Sequence, residues 1–272
     1  MNPQEYSRMH DLETKYWWFA GRRAIVSSLL HAALSSRPPN ASSALRLLDL
    51  GCGTGANLSM LCHAIAAEGS TPSGHVAALD YSPLALDFAS QHSGELPVSL
   101  LRGDATILPF ASNAFDIVTM LDVLEHVEDD AGAVKEIFRV LKPGGAFILS
   151  VPAYQKLWSA HDEALHHFRR YEYCDLRKVL RRGGFQVWRL SFAMSLMPPV
   201  AWFWRRFILP FKPNRPRDAT RHSEGAVLPA VPSAFNAALV KYLECEGRVI
   251  RRRPLKFGTS LVAIARKPIS EI

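Results

Sequence analysis

Leu45-Arg46-Leu47-Leu48-Asp49-Leu50-Gly51-Cys52-Gly53-Thr54-Gly55-Ala56-Asn57 is an apolar run that stops at an acidic residue and breaks into three alternating glycines. Such a run predicts a buried parallel strand that turns tightly into a helix. Glycines in the turn let backbone N–H groups approach a ligand closely. The stretch therefore predicts a nucleotide-type binding turn within an α/β fold, and the remaining segments are placed relative to it.

Two ligands compete for this turn. Gly51, Gly53 and Ala56 satisfy the dinucleotide fingerprint G-x-G-x-x-G/A. A dinucleotide, however, sets a doubly charged pyrophosphate on the helix N-terminus, and Asp49 would add a like charge beside it. S-adenosylmethionine presents an ammonium, a sulfonium and a carboxylate, so Asp49 gains a cationic partner. Asp49 thus favours the sulfonium cofactor. A P-loop is excluded because no Lys-Ser or Lys-Thr follows the glycines.

Asp49-Leu50-Gly51-Cys52-Gly53-Thr54-Gly55 resembles the signature motif of the class I S-adenosylmethionine-dependent methyltransferases, and Asp80, Asp104 and Asp122 follow in the family's order. The resemblance spans residues 45–151. It implies an α/β fold with a doubly wound, mostly parallel seven-stranded sheet, S-adenosylmethionine as cofactor, and methyl transfer as activity. It also implies roles. Asp49, Gly51, Cys52 and Gly53 form the cofactor turn, Asp80 accepts from the ribose hydroxyls, and Tyr81 flanks the adenine. Asp104 meets the adenine amino group, the Ala105 N–H reads a ring nitrogen, and Asp122 lies near the methionyl end, outside a strand C-terminus.

Local patterns supply the elements. Residues 13–34 carry Trp17, Trp18 and Phe19 and then Ile25, Val26, Leu29 and Leu30 at helical spacing, which predicts an N-terminal helix over the sheet. Its aromatics suit core packing, and Arg22 or Arg23 is placed to meet the cofactor carboxylate. With a linker at 37–43 it forms an N-terminal lid, residues 1–43, ahead of a methyltransferase domain at 44–272. Leu58, Leu61, Cys62 and Ile65 mark one helix face. Strands are predicted at 75–79, 98–102, 115–120, 146–151, 185–190 and 258–267. The last, by the resemblance, inserts antiparallel beside the sixth. A helix at 133–141 is expected to stop at Lys142-Pro143-Gly144-Gly145, and another at 176–182 at Gly183-Gly184. His126 reads as a helix-start or packing residue.

Composition divides the chain. Residues 1–150 carry 10 Lys and Arg against 16 Asp and Glu, whereas residues 151–272 carry 22 against 9. The basic second half predicts an anionic partner: a membrane surface, a phosphorylated substrate or nucleic acid. Cys52, Cys62, Cys174 and Cys245 form no C-x-x-C pair, so neither a disulfide framework nor a structural metal is indicated. The N-terminus shows no basic and apolar leader, and a cytoplasmic protein is expected.

Residues 152–173 hold Tyr154, Trp158, His161, Asp162, His166, His167, Arg169, Arg170 and Tyr171. Their place after the fifth strand makes this insert the acceptor wall. His161 and His166, five apart, are not spaced as a helical metal pair, and no metal is expected. They are the candidate general bases, because histidine titrates near neutral pH. A second insert, 192–257, starts apolar, but Pro198, Pro199, Arg205, Arg206 and Pro210 interrupt it before it could span a bilayer. Trp202 and Trp204 beside Arg205-Arg206 suit an interface with anionic lipid on the inner face of the membrane, or a hydrophobic substrate entrance. Residues 233–253 predict an amphipathic helix with Phe235, Leu239, Tyr242, Leu243, Val249 and Ile250 inward.

The function these features support is methyl transfer to a small-molecule or lipid-linked acceptor. RNA methylation and non-catalytic cofactor binding are the alternatives. Met120-Leu121-Asp122-Val123 lacks the Asn-Pro-Pro-aromatic motif of enzymes that methylate exocyclic base amines, which makes nucleic acid the less favoured partner. The sequence carries no indication of oligomeric state.

Overall fold

The computed structural model describes residues 12–13, 16–37, 44–67, 74–196 and 231–269, the side chain of His161 excepted. The chain runs α1 (Trp17–Ser35), β1 (Arg46–Leu50), α2 (Leu58–Ala67), β2 (His75–Asp80), α3 (Pro83–Ser93), β3 (Val98–Arg102) and β4 (Phe115–Leu121). It continues through α4 (Asp130–Val140), β5 (Leu141–Pro152), α5 (Ala160–Ala164), α6 (Tyr173–Arg182), β6 (Gln186–Ala193), α7 (Ser233–Arg252) and β7 (Ser260–Arg266). The seven strands form one sheet in the order β3-β2-β1-β4-β5-β7-β6. β7 runs against the other six strands, and it lies between β5 and β6 as the resemblance implied.

Strand β1 shows why the sheet is covered on both faces. Leu48 and Leu50 enter one core with α4 and α6, and Leu47 enters the other with α1, α2 and α7. A continuous apolar run in a parallel strand requires that double cover. The chain winds outward from β1 through β2 to β3 and then returns to β4 on the other side of β1. This reversal opens a crevice at the C-terminal ends of β1 and β4, where open α/β sheets bind ligands.

The first and last long helices pack together where side chains are smallest. A Cβ on Gly21 would fall 2.9 Å from Leu243 Cβ, and one on Gly247 would fall 3.1 Å from Ile25 Cα. The two glycines therefore set the close approach of α1 and α7. Ile25, Val26, Leu29 and Leu30 of α1 are buried, so the expected lid helix is also a wall of the core. On α7 the buried side is Leu243, Glu246, Gly247 and Ile250. Phe235 and Tyr242, expected inward, are instead 59% and 38% exposed. They lie a heptad apart on a stripe beside the one that meets α1.

The Lys142-Pro143-Gly144-Gly145 stop also differs from expectation. Helix α4 ends at Val140 and β5 starts at Leu141, before the glycines. Leu141 pairs with Phe115, and a register shift then absorbs the Pro-Gly-Gly stretch. Lys267 holds it there: its carbonyl accepts from Gly144 N–H at 2.8 Å, and its Nζ donates to the carbonyls of Phe138 and Leu141, both at 2.8 Å. At the other edge, buried Glu246 accepts from the N–H groups of Met194 and Ser195 at 2.6 and 3.1 Å, fixing the exit from β6. Residues 38–43 of the linker, and Trp202, Trp204, Arg205 and Arg206 of the second insert, lie outside the described residues. Among the described residues no helix is long and apolar enough to cross a membrane.

Candidate functional site

The turn after β1 is built on three glycines with positive φ, at +68°, +55° and +85° for Gly51, Gly53 and Gly55. Two of them have distinct jobs. A Cβ on Gly51 would lie 2.6 Å from Val123 Cγ1, so this glycine lets the turn pack against the end of β4. A Cβ on Gly53 would meet nothing within 4 Å, so this glycine faces open space. The N–H groups of Gly51 and Cys52 donate to the Leu79 carbonyl at 2.7 and 3.1 Å, tying the turn to β2.

Asp80, at the end of β2, completes that tie. Its Oδ2 accepts from Gly53 N–H and its Oδ1 from Ser82 N–H, both at 2.9 Å. Ser82 caps α3 through Ala85 N–H, so Asp80 orders the glycine turn and the next helix start together. A carboxylate has about four lone-pair directions, so accepting capacity is left for a ligand. Asp49 is 2% exposed and accepts from the Thr119 hydroxyl at 2.6 Å across the β1–β4 pair. Burial pushes its carboxyl up to about 7, Thr119 opposes the rise, and nearby Asp80 adds to it. A cation in the crevice would offset the cost of keeping Asp49 ionised.

The other residues expected to bind cofactor sit around the same strand ends. Asp104 follows β3, is exposed, and closes a local turn by accepting from the backbone N–H and hydroxyl of Thr106 at 2.8 and 2.7 Å. Ala105 is half-buried beside it. Tyr81 is 71% exposed, with the Arg102 guanidinium 6.0 Å from its ring centroid. Asp122 has φ +52° at the end of β4; its Oδ1 accepts from Ser150 Oγ at 3.0 Å and its Oδ2 is ion-paired to Arg22. Arg22 thus reaches the crevice from α1, and its partner is Asp122. Arg23 donates to the Glu13 carbonyl at 2.6 Å.

Glu13, 7% exposed, accepts a hydrogen bond from the Thr54 hydroxyl inside the glycine turn. Sequence reasoning missed Glu13, because an isolated acid before a helix carries no periodic or motif signal. It also missed Glu125. This residue, 1% exposed in the short 3-10 helix Leu124–His126, has its carboxyl pushed up to about 8 by burial, with Arg22 and Arg170 pulling the other way.

The insert after β5 is organised by Asp162. Its carboxylate is fully buried and accepts from Ser159 N–H and Oγ at 2.9 and 3.1 Å, and from His167 Nδ1 at 2.9 Å. Arg170 grips it with two donors, at 2.7 and 3.0 Å. Burial would raise the Asp162 carboxyl, but Arg170 and His167 hold it down at about 2. Phe168 N–H donates to the Glu125 carbonyl at 2.8 Å, joining the insert to the end of β4. Of the two candidate bases, His166 is exposed with φ +57°, while the His161 side chain lies outside the described residues. Their neighbour His167 is half-buried, its side chain turned in to Asp162.

Comparison with known proteins accords with this geometry. Residues 48–149 match the family described as a methyltransferase domain. An uncharacterised 37.1 kDa protein from a transposon of Streptomyces fradiae is 32% identical over 73% of this chain and 55% of its own length. The demethylmenaquinone methyltransferase of Staphylococcus epidermidis is 30% identical over 58% of this chain and 62% of its own. The chain therefore spans between half and two thirds of these curated relatives. Among solved structures, a chain from the complex of the Haloferax volcanii Trm112 methyltransferase activator with a candidate methyltransferase superposes with a TM-score of 0.57 at 21% identity, covering 97% and 95% of the two chains. A Haemonchus contortus phosphoethanolamine N-methyltransferase, solved with S-adenosylmethionine, superposes at 0.53 and 19% identity, covering 88% and 52%. A signature turn at the end of β1, a matching domain over residues 48–149 and the seven-stranded sheet converge: residues 48–149 are a methyltransferase domain, set in a sheet of the class I S-adenosylmethionine-dependent methyltransferase type.

Proposed function

We propose that this chain binds S-adenosylmethionine at the β1 turn and transfers its methyl group to a small-molecule or lipid-linked acceptor held against residues 152–173. The observation that carries this reading is buried Asp49 at the reversal of the sheet, next to the open space in front of Gly53. A sulfonium cofactor supplies the cationic partner that a pyrophosphate would not. Gly51, Cys52 and Gly53 would line it, Asp80 would take the ribose hydroxyls with its remaining lone pairs, and Tyr81, Asp104 and Ala105 would surround the adenine. Asp122, with Arg22, would stand at the methionyl end. The 1–43 segment would close over the cofactor, and 44–272 would form the catalytic domain.

Because the reactive methyl arrives with the cofactor, the protein's task is to align nucleophile, methyl and sulfur and to exclude water. His161 and His166 on the acceptor side would take a proton only from an acceptor that enters un-ionised. The demethylmenaquinone relatives are consistent with a small, apolar acceptor.

Gly53→Val tests the cofactor half. The added side chain meets no protein atom within 4 Å, so the fold should lose only the roughly 1–2 kcal/mol of a left-handed L residue. Affinity for S-adenosylmethionine, measured by calorimetry, should fall at least ~10-fold, or more than about 1.4 kcal/mol. Unchanged affinity in the folded variant would move the cofactor away from this turn. The lipid-linked half rests on Trp202, Trp204 and the charge excess after residue 150. The purified protein should co-sediment with anionic liposomes, less with neutral ones, and salt should release it, since each nearby Lys or Arg adds about 1 kcal/mol against anionic lipid. No binding at low salt would narrow the acceptor to a soluble molecule.

A further inference from the structure

We propose that Glu125, His126 and His167 form a binding site for a divalent metal ion of the zinc class on the acceptor side of the crevice. Each residue offers one ligand atom, and the three atoms lie within 4.8 Å of one another. Two imidazoles and a carboxylate are a zinc donor set, and three protein ligands leave a fourth position for water or substrate.

Three observations carry the assignment. First, Glu125 Oε2 is buried and has no hydrogen-bond partner among the described residues. An orphaned carboxylate oxygen in a 1% exposed residue costs free energy unless a cation meets it. The two neighbouring cations already have carboxylates: Arg22 is paired with Asp122 and Arg170 with Asp162. Second, His167 is oriented as a ligand from behind. Its Nδ1 lies 2.9 Å from Asp162 Oδ1, so the neutral ring that donates there carries its lone pair on Nε2. A carboxylate or carbonyl on the far nitrogen is the usual support of a metal-bound imidazole. Third, the two rings stand edge to face with centroids 4.5 Å apart, and His126 is exposed, so the site is open on one side. Tetrahedral ligands at 2.0–2.2 Å would stand about 3.4 Å apart, a closure within reach of side-chain rotation.

The spacing hid this site. Glu125 and His126 are adjacent at the end of β4, whereas His167 comes from the insert, 41 positions later, and the two segments meet through the Phe168–Glu125 backbone bond, the Arg169–Asp130 ion pair and the Tyr171–Asp130 hydrogen bond. In methyl transfer, which rests on the function proposed above, an acceptor hydroxyl on the open position would lose its proton to solvent more readily. Its oxygen lone pair would then form the new bond to the methyl carbon as the carbon–sulfur bond breaks, the electron pair returning to sulfur. Binding of the ion does not depend on that step.

The test uses the full chain, stripped with chelator and titrated calorimetrically with Zn²⁺ alone, with S-adenosylmethionine titrated separately. About one ion per chain should bind. His126→Ala and His167→Ala should each weaken binding by more than the ~10–100-fold that loss of an outer-sphere partner costs, with cofactor affinity kept within about threefold. Glu125→Gln should do the same, and if it fails to fold the histidine variants decide. Co²⁺ should show visible d–d absorption without a thiolate charge-transfer band, separating this site from exposed Cys174 and Cys245. No saturable binding, or binding that survives the His126→Ala/His167→Ala double change, overturns the site. Loss of S-adenosylmethionine binding with zinc binding intact would instead overturn the cofactor assignment alone.

Discussion

Arg170→Ala should destabilise the protein by about 3–5 kcal/mol at neutral pH, the cost of leaving a buried charge without its partner. Asp162 is fully buried, and Arg170, itself 13% exposed, supplies two of the donors that hold its carboxyl near 2. The remaining donors, Ser159 and His167, are neutral or only conditionally charged, so burial would dominate the variant and raise the Asp162 carboxyl. The sign follows. In the native protein a depressed carboxyl contributes stability that is fully present above its unfolded value of about 3.9 and is lost as pH falls towards 2. In Arg170→Ala the carboxyl binds its proton more readily when folded, so the deficit should be smaller at pH 4 than at pH 7. Arg170→Lys, which keeps a charge but loses the fork, should fall between. Urea denaturation at the two pH values measures all three. An Arg170→Ala midpoint equal to the native one at pH 7 would show that Asp162 is carried by its other partners.

Asp80→Ala should reduce affinity for S-adenosylmethionine at least ~100-fold, about 2.7 kcal/mol. Two losses combine. The Gly53 and Ser82 N–H groups lose their acceptor, and the turn is no longer held in the shape the ligand meets; hydrogen bonds to a charged group contribute about 1.5–3 kcal/mol each. The proposed contacts to the ribose hydroxyls disappear as well. Asp80→Asn keeps one acceptor oxygen and should show a smaller loss, with the thermal midpoint nearer the native value. The two effects separate by experiment: calorimetry reports the ligand, and unfolding without ligand reports the turn. A folded Asp80→Ala that binds within threefold of the native protein would remove Asp80 from the cofactor site.

Local sequence determined the scaffold. The apolar runs at β1, β2 and β4, the glycine turn, and the acids closing successive strands could be read because period, turn chemistry and strand ends are properties of neighbouring residues. Asp49 as the acid that ends the β1 run follows from the same short-range rules. The tertiary structure decided what depends on residues far apart in the chain. Gly21 and Gly247 show their purpose only when α1 meets α7, and Phe235 turned outward because that contact chose one stripe of the helix over its neighbour. The Lys142-Pro143-Gly144-Gly145 stretch joined β5 because Lys267, more than 120 positions later, was there to hold it. In the site, Asp122 acquired Arg22, Thr54 acquired Glu13, and Glu125 and His126 acquired His167. Each of these pairs charged or polar groups from separate segments, and burial gives the pairing its energy. No window of sequence contains both partners, so only the folded chain could bring them within reach.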